Sequence, residues 1–191
     1  MCSQLSPADR AEAAYSEEDR RLLLDIAHRS ILAALRQADL DLTPPNEKLA
    51  QPRGAFTTLH LDGQLRGCVG YILAAKPLYS TVAETAQAAA FQDFRFYPVT
   101  LQEAERLKIE ISVLSPLQPI RPEEVEIGRH GLVVSWGNRR GLLLPQVPLE
   151  HGWNRETFLE QTCIKAGLAA DAWKSGANLE SFTAEIFGDS L

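Results

Sequence analysis

The chain has 191 residues, of which 45% are hydrophobic and 23% are charged, and this composition is typical of a globular protein. A chain of this length buries enough surface to fold without disulfides or metal ions. Its formal net charge of -6 disfavours broad binding to the phosphate backbone of nucleic acids.

The first residues show no firm periodicity, and we predict that 1–15 forms a flexible extension of a single domain over 16–191. The N-terminus is acidic and polar, unlike a secretory leader, and no run approaches the roughly 18 apolar residues of a membrane helix. Cys2, Cys68 and Cys163 are widely spaced and follow no metal-ligand pattern, as is typical of reduced thiols. We therefore expect a cytoplasmic protein that binds no membrane.

A long helix is predicted to begin after Ser16 and to end near Ala38. Ser16 and Asp19 have the spacing of a capping box, with Asp19 in place of the usual Glu or Gln. Apolar residues then recur at three- and four-residue steps, which gives the helix one buried face. The proline-bearing segment 39–53 predicts an extended connection to the next element.

The segments 55–61 and 64–72 are predicted to pair as a β-hairpin. Asp62 and Gly63 lie between these two runs, and Asp-Gly is the strongest short-range hairpin signal because both turn positions need positive φ. The stretch LRGCVGY, residues 65–71, is therefore predicted to lie in the second strand of this hairpin.

The remaining elements follow from apolar periodicity, capping residues and glycine positions. They are a helix over 78–91, a short helix from Thr100 to Arg106, a strand over 107–114, a hairpin of 132–136 with 141–147, a helix over 155–166 and a strand over 179–187. Two hairpins and few βα alternations predict an α+β fold with a mostly antiparallel sheet and flanking helices.

Cys68 has the most suggestive neighbourhood of the three cysteines. Arg66 lies two residues away, so regular strand alternation would put both side chains on one face. A guanidinium near a thiol favours the reactive thiolate, and Gly67 and Gly70 would let a ligand approach. Alternatively, Cys68 is a small buried residue and the glycines accommodate packing, because free cysteine is among the most buried residue types. The residues alone leave both interpretations open.

Three charged residues outside the LRGCVGY stretch are further candidates for chemistry. Asp93 and Arg95 stand in a loop after a helix, where functional groups often collect, although the two could simply form an ion pair. Glu110 faces away from the apolar stripe of its strand. If that face is covered, Glu110 needs a cationic partner, for which Arg66 and Arg95 are the candidates.

Two weaker polar candidates lie in the C-terminal half. Gln146 follows Pro145 at the end of an apolar strand, and Lys165 lies on the last predicted helix. The histidines lie far apart without metal-ligand spacing, so no metal site is predicted. Glycine motifs for dinucleotides or phosphates and a nucleophile elbow do not occur in the sequence, which therefore specifies no cofactor.

Several blocks in unbroken order resemble the AMMECR-domain family, whose microbial members are called AmmeMemoRadiSam system protein A. The resemblance runs from about Gly54 to Phe187. The blocks are LRGCVGY, AAAFQDFRF, LKIEISVLSP, IGRHGLVV, GLLLPQV, GWNRETFLEQTCIKAGL and AWKSGA. The family's signature maps onto Arg66, Gly67, Cys68 and Gly70.

The resemblance implies a compact α+β domain of two closely packed subdomains, with no established catalytic activity. It assigns the family's Asp-Pro-Arg-Phe segment to Asp93, Arg95 and Phe96, with Phe94 in place of the proline. Glu110, Gln146 and Lys165 occupy further motif positions. Because microbial relatives are often encoded beside Memo-like and radical-SAM proteins, the resemblance implies these proteins as partners in a shared pathway, by association alone.

Two functional hypotheses follow. In the first, the protein is an enzyme or substrate-handling component of a Memo and radical-SAM pathway. Arg66 and Arg95 then hold an anionic group, Cys68 acts as nucleophile or redox thiol, and Glu110 or Asp93 moves protons. In the second, the protein is a non-catalytic adaptor, and exposed aromatic residues of the loop after the second helix anchor a partner protein. Those anchors are Phe94, Phe96 and Tyr97.

Overall fold

The computed structural model of the protein describes residues 15–190. Apart from Tyr15, the predicted flexible extension lies outside the described residues. Contacts between Cα atoms divide the chain into two compact units, one of 15–113 with 185–190 and one of 114–184. Among the described residues, none of the helices is both long and apolar enough to cross a membrane.

The first unit contains three helices and a four-stranded sheet. Its helices are α1 (Glu17–Arg36), α2 (Leu78–Phe91) and α3 (Leu101–Ala104), and its strands are β1 (Ala55–Leu61), β2 (Gln64–Tyr71), β3 (Lys108–Leu114) and β8 (Ala184–Gly188). The strand order is β2-β1-β3-β8, so β2 is an edge strand. The helix and hairpin predicted near the N-terminus are both present.

The second unit contains another four-stranded sheet. Its strands are β4 (Gln118–Pro119), β5 (Gly131–Trp136), β6 (Arg139–Leu143) and β7 (Asn178–Phe182), and its helices are α4 (Val147–Glu150) and α5 (Arg155–Lys165). The order is β4-β7-β5-β6, and the pairs formed by β5 and β7 are antiparallel. The prediction of an α+β fold with mostly antiparallel strand pairing is confirmed.

Local capping chemistry fixes where α1 begins. The Ser16 hydroxyl accepts the Asp19 N–H, and the Asp19 carboxylate accepts the Ser16 N–H, so the predicted capping box is formed. The helix ends at Arg36, and Gln37 follows with a φ of 52°. This left-handed residue reverses the chain direction, and α1 therefore ends about two residues before the predicted end.

Helix α2 packs closely on one face of the first sheet. Its many alanines are buried, as are Thr57 and Leu59 of β1 and Ile111 of β3. A Cβ atom at Gly67 would lie 2.2 Å from the Ala89 carbonyl oxygen, a distance that no side chain tolerates. Gly67 is therefore required for the approach of α2 to β2, as the packing interpretation of the glycines predicted.

The hairpin between β1 and β2 contains the predicted turn and an unpredicted bulge. Asp62 and Gly63 have φ values of 52° and 77°, as a two-residue hairpin turn requires. Leu59 pairs with Gly67, but the next residue of β1 pairs with Leu65, so Arg66 is an extra residue in β2. The bulge breaks the alternation of side chains along β2.

Two elements of the second unit differ from their predictions. The strand predicted over 141–147 ends at Leu143, and α4 begins at Val147 because Pro148 suits a first helical turn and cannot extend a ladder. The single strand predicted over 179–187 is divided at Thr183 into β7 and β8, which belong to different sheets.

Candidate functional site

A short loop after α2, residues 92–98, is held to β2 by three long-range hydrogen bonds, and we call it the aromatic loop. It begins where α2 ends at Phe91 and stops before Thr100, the N-cap of α3. Its sequence QDFRFYP contains three aromatic residues close to Asp93 and Arg95. The contacts of these residues with β2 define the candidate site.

Asp93 fixes the start of the aromatic loop to the edge strand. Its Oδ2 accepts the Cys68 backbone N–H at 2.9 Å, and both carboxylate oxygens accept the Arg95 side chain, at 2.9 Å from Nε and 2.7 Å from Nη2. The Arg95 backbone N–H also donates to Oδ1 at 3.2 Å. The side chain of Asp93 is only 4% exposed.

The Arg95 guanidinium, assisted by the donated N–H groups of Cys68 and Arg95, holds the pKa of the Asp93 carboxyl well below its usual range. Both oxygens are occupied by donors, and the group stays ionised at neutral pH. The geometry therefore favours a role for Asp93 in positioning the aromatic loop. Its role in proton transfer stays a prediction.

Arg66 fixes the other end of the aromatic loop. Its Nη1 donates to the Tyr97 carbonyl at 2.9 Å, and Nη2 donates to the Pro98 carbonyl at 3.5 Å. The same guanidinium binds Glu103 of α3 through Nε at 3.0 Å and Nη2 at 3.2 Å. This bidentate pair lowers the pKa of Glu103 to about 2, and the Arg66 side chain is only 13% exposed.

The prediction that Arg66 and Cys68 share a face of the strand is wrong. Cys68 pairs with Thr58 on β1, and the Thr58 hydroxyl donates to Cys68 Sγ at 3.3 Å. The bulge turns Arg66 away from this row and towards Glu103. The Arg66 guanidinium therefore stabilises the aromatic loop and does not activate the Cys68 thiol.

The aromatic side chains of the loop divide into one packed ring and two exposed rings. Phe96 is partly buried, with the guanidinium carbons of Arg66 and Arg95 at 6.0 and 5.4 Å from its ring centroid. Phe94 and Tyr97 are 96% and 90% exposed. The expectation that all three rings are exposed is therefore correct for Phe94 and Tyr97 and wrong for Phe96.

An open cleft of about 440 Å³ lies beside the packed ring. The residues that line it are Arg66, Arg95, Phe96, Tyr97, Pro98, Thr100 and Glu103. Arg95 is the more accessible of the two arginines, with 45% of its side chain exposed. The cleft thus combines aromatic surface with one accessible guanidinium.

Glu110 lies in line with Cys68 on the first sheet. Thr58 pairs with Cys68 on β2 and with Glu110 on β3, so thiol, hydroxyl and carboxylate form one row across three strands. The cationic partners predicted for Glu110 are wrong, because Arg66 binds Glu103 and Arg95 binds Asp93. Within residues 15–190, Glu110 forms no ion pair.

The remaining candidates are Gly70, Gln146 and Lys165. A Cβ atom at Gly70 would lie 2.2 Å from the Phe56 ring, so this glycine accommodates packing within the sheet. Gln146 and Lys165 belong to the second unit. Gln146 precedes α4, and its Oε1 is buried without a hydrogen-bond donor among the described residues, whereas Lys165 is the exposed last residue of α5.

Glu103 has a role that its local sequence does not indicate. The predicted capping box is formed, since the Glu103 carboxylate accepts the Thr100 N–H at 2.8 Å and the Glu103 N–H binds the Thr100 hydroxyl. The same carboxylate also binds Arg66, 37 residues away in the chain. Local spacing predicts only the cap, and no signal in a single sequence identifies the distant partner. Among the described residues, no cluster of His, Cys, Asp and Glu suits a metal ion.

Comparisons with known proteins cover both units. The model of the AMMECR1 family matches residues 24–187. A protein of Methanopyrus kandleri is 42% identical over 182 residues, covering 89% of this chain and 88% of the relative. A protein of Methanocaldococcus jannaschii is 43% identical over 151 residues, covering 74% and 75%. The crystal structure of an uncharacterised protein of Pyrococcus horikoshii has a TM-score of 0.75 and 39% identity, covering 88% of this chain and 90% of that one.

We predict that the Arg66–Glu103 pair makes stability dependent on pH in the acid range. Because the pKa of Glu103 is lowered in the folded state, its contribution is fully present above the unfolded pKa, near 4.5, and is lost as pH falls towards 2. Glu103→Gln should lower the free energy of unfolding at pH 7 by roughly 1 to 3 kcal/mol. Urea denaturation at pH 7, 4 and 3 should show this difference shrinking with pH.

The matched control is Glu105→Gln, which changes the net charge equally at an exposed neighbouring residue. It should change the free energy of unfolding by no more than about 0.5 kcal/mol. A Glu103→Gln penalty that is the same at pH 7 and pH 3, or that matches the Glu105→Gln penalty, would contradict the assignment.

Proposed function

The chain belongs to the AMMECR1 family, and we propose that it is a protein-binding domain whose partner docks on the aromatic loop. The observation that supports this function best is the near-complete exposure of Phe94 and Tyr97 on a loop fixed at both ends. Large aromatic side chains are frequent anchors of protein interfaces, and the exposure of two such rings to water is unfavourable.

The fixed backbone makes this loop a better docking element than a mobile loop of the same composition. Binding to a flexible segment costs conformational entropy when the segment becomes ordered. Here Asp93 binds β2 at one end of the loop, and Arg66 holds the Tyr97 carbonyl at the other. The two exposed rings are therefore presented without much further loss of entropy on binding.

The partners that we propose are the Memo-like and radical-SAM proteins implied by the resemblance to AmmeMemoRadiSam system protein A. A partner that fits the loop would carry two apolar pockets for the rings of Phe94 and Tyr97 and an acceptor near Arg95. In this proposal the protein acts as an adaptor in their shared modification pathway.

We predict that a Phe94→Ala, Tyr97→Ala double variant loses binding to the purified Memo-like or radical-SAM protein of the same organism. Loss of two aromatic anchors should weaken the dissociation constant at least 30-fold, as a combined loss of about 2 kcal/mol implies. The melting temperature should stay within about 2 °C, because neither side chain is packed. Isothermal titration calorimetry measures the affinity.

The control is Leu73→Ala, which removes another exposed apolar side chain of the first unit, 61% exposed. This variant should bind as the unmodified protein does. Equal affinity of the double variant and the unmodified protein for each partner, or no binding of the unmodified protein to either, would rule out the docking proposal.

A second candidate function is an enzyme or substrate-handling component that uses Cys68. The observation that favours it is the row of Cys68, Thr58 and Glu110, in which the Thr58 hydroxyl donates to the sulfur of a partly exposed cysteine. In this proposal Cys68 is the nucleophile or redox thiol and Glu110 moves protons, because both oxygens of Asp93 are already occupied. Arg95 binds the substrate.

We predict that iodoacetamide at pH 8 alkylates Cys68 at least ten times faster than Cys163, when both are followed by peptide mass spectrometry in a Cys2→Ser background. Cys163 is buried, and burial raises the pKa of its thiol, so it serves as an internal control within the same molecule. Protection of Cys68 until the protein unfolds would exclude a catalytic thiol in this conformation.

A further inference from the structure

Arg66 and Arg95 are held by carboxylates in the same way but differ at the other edge of the guanidinium. In each residue, Nε and Nη2 donate to one carboxylate, Glu103 for Arg66 and Asp93 for Arg95. This side-on pairing uses two of the five N–H donors of a guanidinium and leaves the end-on edge, formed by Nη1 and Nη2, for other acceptors.

The end-on edge of Arg66 is occupied by the protein itself. Nη1 donates to the Tyr97 carbonyl at 2.9 Å and Nη2 reaches the Pro98 carbonyl at 3.5 Å. Two oxygen atoms of the aromatic loop therefore fill the positions that a bound carboxylate would take. Because both nitrogens of this edge are bonded to carbonyls and the side chain is only 13% exposed, the edge is not available to a ligand.

The same edge of Arg95 is open. Among residues 15–190, Nη1 of Arg95 has no hydrogen-bond acceptor, and the side chain is 45% exposed at the wall of the cleft. Its orientation is nevertheless fixed, because Asp93 holds the opposite edge and the Phe96 ring lies 5.4 Å from the guanidinium carbon. An accessible guanidinium that is already immobilised is a pre-organised receptor for a planar anion.

We infer that the end-on edge of Arg95, with the cleft beside it, is a binding site for a carboxylate group. A carboxylate offers two oxygens at the spacing of the two nitrogens, and Phe96, Tyr97 and Pro98 supply an apolar wall for the carbon chain that bears it. Because Asp93 already neutralises the charge of Arg95, recognition depends on paired hydrogen bonds more than on net charge, and a monatomic anion is a poor substitute.

The carboxylate can come from a free small acid or from a partner protein. The second source rests on the proposed docking function, because a partner anchored on Phe94 and Tyr97 would bring its own acidic side chain or C-terminus to the cleft. Because the carboxylate site can be tested on the protein without any partner, failure of the docking proposal does not rule out the site. Failure of the site likewise does not rule out the docking proposal.

The experiment is an NMR titration of the full ¹⁵N-labelled chain at constant ionic strength with three probes. The probes are acetate, acetyl-Ala-Ala-Ala with a free carboxylate, and the same peptide as its C-terminal amide, with sodium chloride as the reference. We expect the Arg95 Nε–Hε signal and the Phe96 amide to shift saturably with the two carboxylates and not with the amide or with chloride. Tighter binding of the peptide acid than of acetate, by tenfold or more, indicates a protein source, and equal binding indicates a free acid.

The variant that tests the assignment is Arg95→Lys, which keeps a cation beside Asp93 but cannot form the paired contact. It should weaken carboxylate binding at least tenfold while the melting temperature confirms folding. Arg129→Lys, at an exposed arginine that is also paired with a carboxylate, should have no effect. Phe94→Ala should leave carboxylate binding unchanged, because Phe94 does not line the cleft.

Two results would overturn the inference. One is the absence of a saturable shift up to about 50 mM of either carboxylate, an affinity too weak for recognition. The other is equal binding of carboxylate by Arg95→Lys and by the unmodified chain, since the site would then lie elsewhere or be unspecific.

Discussion

The hydrogen bonds between the edge strand β2 and the aromatic loop are the constraint on which the candidate site depends. An edge strand leaves backbone groups unpaired, and the Asp93 carboxylate satisfies the outward N–H of Cys68. Arg66, displaced from the ladder by the bulge, binds the loop carbonyls at the other end. Because Gly67 lets α2 lie against the same strand, the loop that follows α2 begins within reach of these two contacts.

This arrangement gives a structural reason for Arg66 and Gly67 in the LRGCVGY stretch. Arg66 acts through its side chain, Gly67 through the absence of one and Cys68 through its backbone N–H, and all three position the aromatic loop. The carboxylates of Asp93 and Glu103 neutralise the two arginines that are in contact with Phe96. The loop therefore exposes to solvent the rings of Phe94 and Tyr97 and the end-on edge of the Arg95 guanidinium.

Features encoded by neighbouring residues could be predicted from the sequence, and features that depend on distant contacts could not. The Asp62-Gly63 turn and the capping boxes of α1 and α3 are set by residues at most three apart, and the structure contains all of them. The bulge at Arg66 arises from pairing with β1 and from contacts with Glu103 and the loop carbonyls, none of which has a local signature. An unbroken alternation of side chains along β2 was therefore expected, and this alternation would place Arg66 on the same face as the Cys68 thiol.

Whether β2 holds the aromatic loop rigid can be measured by ¹⁵N relaxation of the backbone amides of Phe94, Phe96 and Tyr97. We expect order parameters near those of rigid backbone, about 0.85, in the unmodified chain, and values below about 0.6 in Asp93→Ala, where the anchor is removed. Order parameters below about 0.6 in the unmodified chain would contradict it, because the exposed rings would then belong to a mobile loop.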